Sequence, residues 1–326
     1  MQNDPHDQQA VFQAVTILEV AQDEAGQRLD NYLIARLKGV PKSLIYRVIR
    51  KGEVRVNKGR VKPERKLAAG DQVRVPPVRI AEPPAVPKPG DGLVKTLDDA
   101  IVFESDALLV INKPSGLAVH GGSGVSLGLI EALRQMRPTS RFLELVHRLD
   151  RDTSGCVMVA KKRSMLKFLQ NALRQPGGID KQYLALVEGR WPNRRKFVDA
   201  PLKRSELPNG ERIVRVDIAG KESRTEFSVE ARFAEATLVR AKPMTGRTHQ
   251  IRVHALHMGH AIVGDEKYGR DAFNKQMRQQ GFKRLFLHAT ALRIPLPEGG
   301  VIEVGAPLPA ELSIPLARLE ISGSSD

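Results

Sequence analysis

Apolar positions recur at a helical period near the start of this 326-residue chain and in shorter, strand-like runs after it. Leu29, Tyr32, Leu33 and Leu37 share one helical stripe, and Gly39 follows as a stop. Pro41 opens a second helix, as proline does at a first helical position. Its stripe is Leu44, Ile45, Val48 and Ile49, and Gly52 ends it. Arg36 falls at the edge of the first stripe and Lys38 points away from it, while Lys42, Arg47, Arg50 and Lys51 lie off the second. Val54 and Val56 then alternate with Arg55 and Asn57, Lys58-Gly59 supplies a turn, and Val73 and Val75 alternate with Gln72 and Arg74. Residues 26–77 are therefore expected to form two helices and a small sheet with a basic face.

The flanks of this stretch differ. Residues 1–25 are acidic and glutamine-rich and are expected to be a partly disordered tail, frayed to about residue 13, with Ile17–Val20 as an edge strand. Pro76, Pro77, Pro83, Pro84, Pro87, Pro89, Gly90 and Gly92 crowd one segment without apolar period, so residues 78–98 are expected to be an extended linker. From 99 to about 320 short strands alternate with few helices. Strands are predicted at 107–112, 183–188, 214–218, 224–229 and 237–242, and helices at 127–135 and 165–174. No regular strand–helix–strand alternation is visible, which favours an α+β fold with a mixed sheet over a doubly wound one.

Charge sharpens this division. The chain carries a net charge of +15. Residues 26–77 hold 14 Lys/Arg against 4 Asp/Glu, a net of +10, so two thirds of the excess sits in about one sixth of the chain. Such clustering points to a nucleic-acid partner, because lysines and arginines release counterions from phosphates. One cysteine, Cys156, excludes disulfides within the chain and any multi-cysteine zinc site, and its apolar neighbours suggest inert packing. No apolar run is long enough to span a bilayer and residues 1–7 do not resemble a signal peptide, so a cytoplasmic location is expected. No heptads are visible, and the chain is expected to be a monomer that requires no protein partner.

Candidate chemistry lies in three places. His147-Arg148-Leu149-Asp150-Arg151-Asp152-Thr153-Ser154-Gly155 is a polar connection between two apolar runs. Most loop aspartates cap backbone, but Asp152, Thr153 and Ser154 can do that here and leave Asp150 available. Arg252 sits between Ile251 and Val253; if buried it needs an anion, and Asp150 is the natural partner, with RNA phosphate or another acid as alternatives. Tyr183, one of four tyrosines, opens a strand and offers a flat face for stacking a base, unless it is simply a core residue. His249, His254, His257 and His260 lie close in sequence, but no His-Glu-x-x-His pattern accompanies them and no metal is expected. Gly121-Gly122-Ser123-Gly124 lacks the Gly-Lys-Thr/Ser of a phosphate loop and is better taken as a turn.

Two resemblances emerge from these residues. The helix, turn, basic helix and Gly-Glu-Val-Arg-Val-Asn-Lys (52–58) resemble the small RNA-binding S4 domain across almost all of 26–77. His-Arg-Leu-Asp (147–150), Thr-Ser-Gly (153–155) and Gly-Arg-Thr-His-Gln-Ile-Arg (246–252) resemble the pseudouridine synthases, and the stretches 112–124 and 142–155 extend the likeness. This implies a catalytic domain over 99–320 that isomerises uridines of 23S ribosomal RNA without cofactor. The family's catalytic aspartate falls on Asp150 and its base-stacking tyrosine, which can also help remove the ring proton, on Tyr183. The arginine paired with the aspartate falls on Arg252, and Arg148 corresponds to one that replaces the flipped-out nucleotide. Lys42, Arg47, Arg50, Lys51 and Arg55 are the expected RNA-binding residues of the basic module. Readings from other classes are a non-catalytic RNA-binding factor, a hydrolase that releases the base, and the same isomerase acting on transfer RNA.

Overall fold

The stripes of the first 80 residues close on one another as their spacing requires. In this computed structural model the described residues are 11–12, 15–37, 40–80, 87–121, 127–175, 177–193, 196–207 and 211–319. They divide into two compact units, Met1–Pro87 and Lys88–Asp326. In the first, β1 (Val11–Phe12) pairs with β6 (Arg79–Ile80). Strands β2 (Thr16–Glu19), β3 (Arg55–Val56), β4 (Gly59–Arg60) and β5 (Gln72–Val75) form an antiparallel sheet in the order β2-β5-β3-β4. Helices α1 (Leu29–Arg36) and α2 (Lys42–Arg50) share one core with it, built from Leu29, Tyr32, Leu33, Ile45, Val48, Ile49, Val54 and Val73. The edge strand expected at 17–20 is present as β2, and Val20 is buried in that same core, so this part of the expected tail belongs to the folded unit. Lys38 and Gly39 lie outside the described residues, as do residues 1–10 and Gly122–Gly124 of the glycine-rich turn.

The second unit begins with α3 (Asp91–Asp99). Its Leu97 is fully buried beside Leu133 and Ile111 in the main core, which removes residues 91–98 from the expected linker. Leu93, Val94 and Leu97 are its three apolar positions, too short a stripe beside the Pro- and Gly-rich flank to reveal a nine-residue helix. The following elements are β7 (Ile101–Glu104), β8 (Leu108–Lys113), α4 (Leu129–Met136), β9 (Glu144–Leu145), β10 (Ser154–Ala160), α5 (Arg163–Ala172), β11 (Asp180–Glu188), β12 (Phe197–Asp199), β13 (Leu202–Glu206), β14 (Arg212–Val216), β15 (Arg224–Arg232), β16 (Ala236–Pro243), α6 (Gln250–His257), α7 (Asp271–Gln279), β17 (Leu287–Pro295), β18 (Val301–Gly305) and α8 (Ala310–Ala317).

Ten of these strands make one sheet, with main path β12-β15-β16-β11-β17-β10-β8-β7; β18 adds to β17 and β9 to β10, while β13 and β14 form a separate hairpin. Among the described strands the pairing is antiparallel except between β10 and β17, where Ser154 faces His288 and Gly155 faces Ala289. The sheet is therefore mixed, as the missing βαβ pattern suggested. Every residue of β10 is buried, because elements cover both faces of the sheet there. Its start, at the single parallel junction, is where the polar loop of residues 147–153 ends.

Candidate active site

The loop carrying Asp150 is held from below by backbone rather than by its own side chains. Thr153 N–H donates to the Asp150 carbonyl at 3.2 Å and closes a turn. Ser154 and Asp152 are employed elsewhere: the Ser154 hydroxyl meets His288 Nδ1 at 2.9 Å, and the Asp152 carboxylate takes Arg151 Nε at 3.2 Å. The expected capping by those side chains is thus replaced by a main-chain turn, and the Asp150 carboxylate is left available for a different reason. Gly155 has φ +110° and its backbone lies so close to Ala289 that a Cβ would sit 2.2 Å from the Ala289 carbonyl oxygen. Only glycine fits there, and this close approach fixes the height of the loop over the sheet.

A buried lysine clamps the loop from the other side. Lys113 at the end of β8 has no exposed surface, and its Nζ donates to the carbonyls of Pro114, Leu117 and Arg151 at 2.9, 2.8 and 2.9 Å. Three carbonyls match the three hydrogens of an ammonium group. Burial pulls its pKa down to about 7 against the raising effect of Asp152 and Asp150. Ser115 Oγ to the Asp152 carbonyl at 2.7 Å and Gly116 N–H to the Arg151 carbonyl at 2.9 Å complete the stitching.

Asp150, Tyr183, Arg148 and Arg252 all line one cavity of about 400 Å³, together with Lys181 and His249. That is the size range of small-ligand sites. Tyr183 lies within β11, three residues past its start, where a bulge shifts the register between Gln182 and Tyr183 against β17. Bulges re-aim a side chain, and this one sits at the residue that walls the cavity. Burial, with Asp150 adding to it, raises the Tyr183 phenol above its usual range, so it remains protonated. Arg148 is exposed. Lys181 is half-buried and lowered in pKa mainly by desolvation. His147 is likewise held down to about 3 by desolvation, and its Nε2 accepts the Met158 N–H at 3.1 Å.

Arg252 is buried on α6, as its apolar neighbours required, but its principal partner is not Asp150. Its Nε and Nη2 form a two-pronged pair with the oxygens of Asp265, both at 2.7 Å, while Nη1 stands 3.8 Å from Asp150 Oδ2. The correction has a physical cause. A guanidinium presents two faces of its fork, and the fully buried Asp265 takes the bidentate one. Asp265 is fixed in turn by the N–H groups of Lys267 and Tyr268, both at 3.0 Å. His249 Nε2 stands at 3.8 Å from the same Asp150 oxygen. Asp150 thus faces two nitrogens from α6 and its N-cap without a side-chain hydrogen bond among the described residues.

Sequence reasoning missed Lys113, Asp265 and Tyr268, and it considered His249 only as a metal ligand. The histidines do not converge: His254 is taken up by Ser223, Thr225 and the Ala200 carbonyl, and His260 by the Glu188 carbonyl. The available signal for His249 was its place in the Thr-His-Gln-Ile-Arg run.

Comparison with known proteins decides the family. The RNA pseudouridylate synthase profile matches residues 107–257, and the S4 domain profile matches residues 27–73. The chain is 56% identical over 326 residues to the ribosomal large subunit pseudouridine synthase C of Pasteurella multocida, covering 99% of this chain and 100% of that protein. It belongs to the RNA pseudouridine synthases. The synthase of the same name from Escherichia coli K12 is 56% identical over 310 residues, covering 94% of this chain and 97% of its own. Among solved structures, human RNA pseudouridylate synthase domain containing 4 superposes with a TM-score of 0.57 at 27% identity, over 70% of this chain and 97% of that one. The enzyme is therefore an isomerase with an S4 domain, and the cavity around Asp150 is the region that the synthase profile spans on both sides.

Proposed function

We propose that this synthase converts uridines of large-subunit ribosomal RNA to pseudouridine, with Asp150 as the reacting carboxylate. The observation that carries the reading is the state of Asp150: 21% exposed, faced by Arg252 and His249 at 3.8 Å, and with no hydrogen bond of its own to a described side chain. A carboxylate kept beside a permanent cation but left with its lone pairs unoccupied is prepared to attack or to take a proton at the sugar. The identity of the relatives named for the large ribosomal subunit supports the substrate. With that substrate, a cytoplasmic location is the expected one.

The residue types suit the steps. The bond from base to sugar breaks, the base turns, a new bond forms through ring carbon five, and the proton on that carbon leaves. Atoms are conserved apart from proton exchange, so neither an oxidant nor water is consumed. Extruding the uridine costs roughly a few kcal/mol of stacking and pairing. Arg148, exposed beside the cavity, can fill the vacated stack, and the Tyr183 ring gives the base a new face. Arg252 holds charge opposite Asp150 while Asp265 keeps the guanidinium in place. In the S4 unit, Lys42, Arg47, Arg50, Lys51 and Arg55 are all exposed, while Ile45, Val48, Ile49 and Val56 turn inward. This basic face supplies phosphate contacts over residues 26–77, and the chemistry belongs to 99–320.

The test uses 23S ribosomal RNA carrying tritium at uridine carbon five. The expected result is tritium release by the wild type without added cofactor and none by Asp150→Asn. Full activity in that variant overturns the role of Asp150. Release of free uracil indicates a base-removing hydrolase, and activity on transfer RNA alone overturns the ribosomal substrate.

A further inference from the structure

His249 occupies the N-cap position of α6 in a left-handed conformation, φ +54° and ψ +20°. It is the only non-glycine residue with positive φ among the described residues of the second unit. A histidine there costs backbone energy, and such conformations persist where the surroundings fix them. Here the surroundings are a chain of hydrogen bonds that ends on the ring. The Val214 N–H of β14 donates to the Tyr268 hydroxyl oxygen at 3.0 Å, and that hydroxyl lies 2.7 Å from His249 Nδ1. The two rings meet edge to face with centroids 5.5 Å apart.

This chain favours one tautomer. The Tyr268 oxygen accepts from Val214, and among the described residues Nδ1 is the acceptor within reach of its single hydrogen, so the arrangement that leaves no hydrogen unpaired has Tyr268 donating to Nδ1. His249 Nδ1 is then the acceptor and Nε2 bears the hydrogen. Nε2 is the atom that stands 3.8 Å from Asp150 Oδ2. Desolvation lowers the His249 pKa, in line with a neutral ring. A movement of about 1 Å by either group makes this a hydrogen bond, and such contacts commonly tighten only when substrate fills a site.

We propose that His249 is a positioning residue for Asp150: its Nε2–H, aimed by the Tyr268 hydroxyl, holds one carboxylate oxygen while the other meets the nucleoside. Arg252 alone cannot fix that direction, because its fork is committed to Asp265 and only Nη1 faces Asp150. The inference rests on Asp150 being the reacting group. Three groups thus divide the work: Arg252 sets the charge, His249 the orientation, and Tyr268 the tautomer.

The test measures kcat and KM by tritium release for His249→Asn, His249→Gln and Tyr268→Phe beside Asp150→Asn. Asparagine tolerates the left-handed backbone but is too short to reach Asp150, whereas glutamine carries an N–H farther out. Phenylalanine keeps the ring over Arg252, now 5.0 Å from the guanidinium carbon, and removes only the hydroxyl. His249→Asn is expected to lower kcat on the order of 10- to 100-fold with KM within about twofold, and His249→Gln to recover most of it. Tyr268→Phe is expected to fall between them and to add nothing on the His249→Asn background. Nitrogen NMR of the labelled wild-type enzyme is expected to show the Nε2–H tautomer, a reading independent of any variant's folding. Wild-type kcat in His249→Asn, equal losses in the Asn and Gln variants, or an Nδ1–H tautomer overturns the proposal. Activity retained by Asp150→Asn overturns the underlying reading instead, so the two failures are distinguishable.

Discussion

Two carboxylates share one arginine in this enzyme, and they are treated in opposite ways. Asp265 has no exposed side-chain surface and accepts four hydrogen bonds, two from Arg252 and one each from the Lys267 and Tyr268 N–H groups. Asp150 is 21% exposed, borders a cavity and stands 3.8 Å from the same guanidinium. The first is saturated and the second is not. A carboxylate with four donors buried around it has no room for a substrate; an unsatisfied one at a cavity offers its oxygens. The difference supports the proposed division between an anchoring acid, Asp265, and a reacting one, Asp150, without recourse to their positions in the sequence.

The comparison breaks most directly at Asp150. Asp150→Asn is expected to lower turnover by ~10⁴-fold or more while leaving the melting temperature unchanged, because the side chain forms no bond that the fold relies on. A large drop in melting temperature with partial activity would reverse the two assignments. Asp265→Asn is expected to do the contrary. Denaturant titration should show a loss of roughly 3–5 kcal/mol, since Arg252 is left buried without its counter-charge. Activity should fall with it, and a stable variant with unchanged turnover would show that Asp265 anchors nothing.

The floor under Asp150 adds a pH test. The Ser154 hydroxyl accepts from Arg284 Nη2 at 3.1 Å, so its hydrogen goes to His288 Nδ1, and His288 Nε2 donates to the Ala306 carbonyl at 3.1 Å. Both ring nitrogens are committed in the neutral form, and burial holds the His288 pKa at about 4 against 6.5 unfolded. Between those values the unfolded chain binds more protons, so stability falls as pH drops from 6.5 to 4. The loss from this group amounts to roughly 3 kcal/mol. His288→Gln is expected to flatten that part of the stability–pH curve; an unchanged curve would mean that His288 does not titrate there. The smallest expected effect lies in the S4 unit. Arg50→Ala with Lys51→Ala should reduce the slope of log affinity on log salt by ~1–2 and leave turnover at saturating RNA unaltered, since exposed charges act on binding. An unchanged slope would detach these two residues from the RNA.

Much of the architecture followed from local pattern. The helices at 29–36 and 42–50 and the strands at 108–113, 180–188 and 236–243 sit within a few residues of their predicted places, because each carries a full stripe or a run of apolar residues. The helix at 91–99 escaped notice because it fully buries one leucine, and the edge strand expected at 17–20 is present at 16–19, though its partner, 56 residues later, could not be named from spacing. At the site, motif identity singled out Asp150, Tyr183, Arg148 and Arg252. It placed Asp150 beside Arg252, where the two stand 3.8 Å apart, and left out Asp265, which takes the two-pronged bond.

Sequence by itself determined which elements form, where positive charge concentrates and which side chains are chemically unusual in their surroundings, since each of these depends on near neighbours along the chain. Tertiary structure alone decided which carboxylate would claim the guanidinium fork, where Lys113 would spend its three hydrogens and which nitrogen of His249 would face Asp150. Those outcomes are competitions among groups brought together by folding. In a buried setting hydrogen bonds go to the partner with the better geometry, and geometry between distant segments is not written in their spacing.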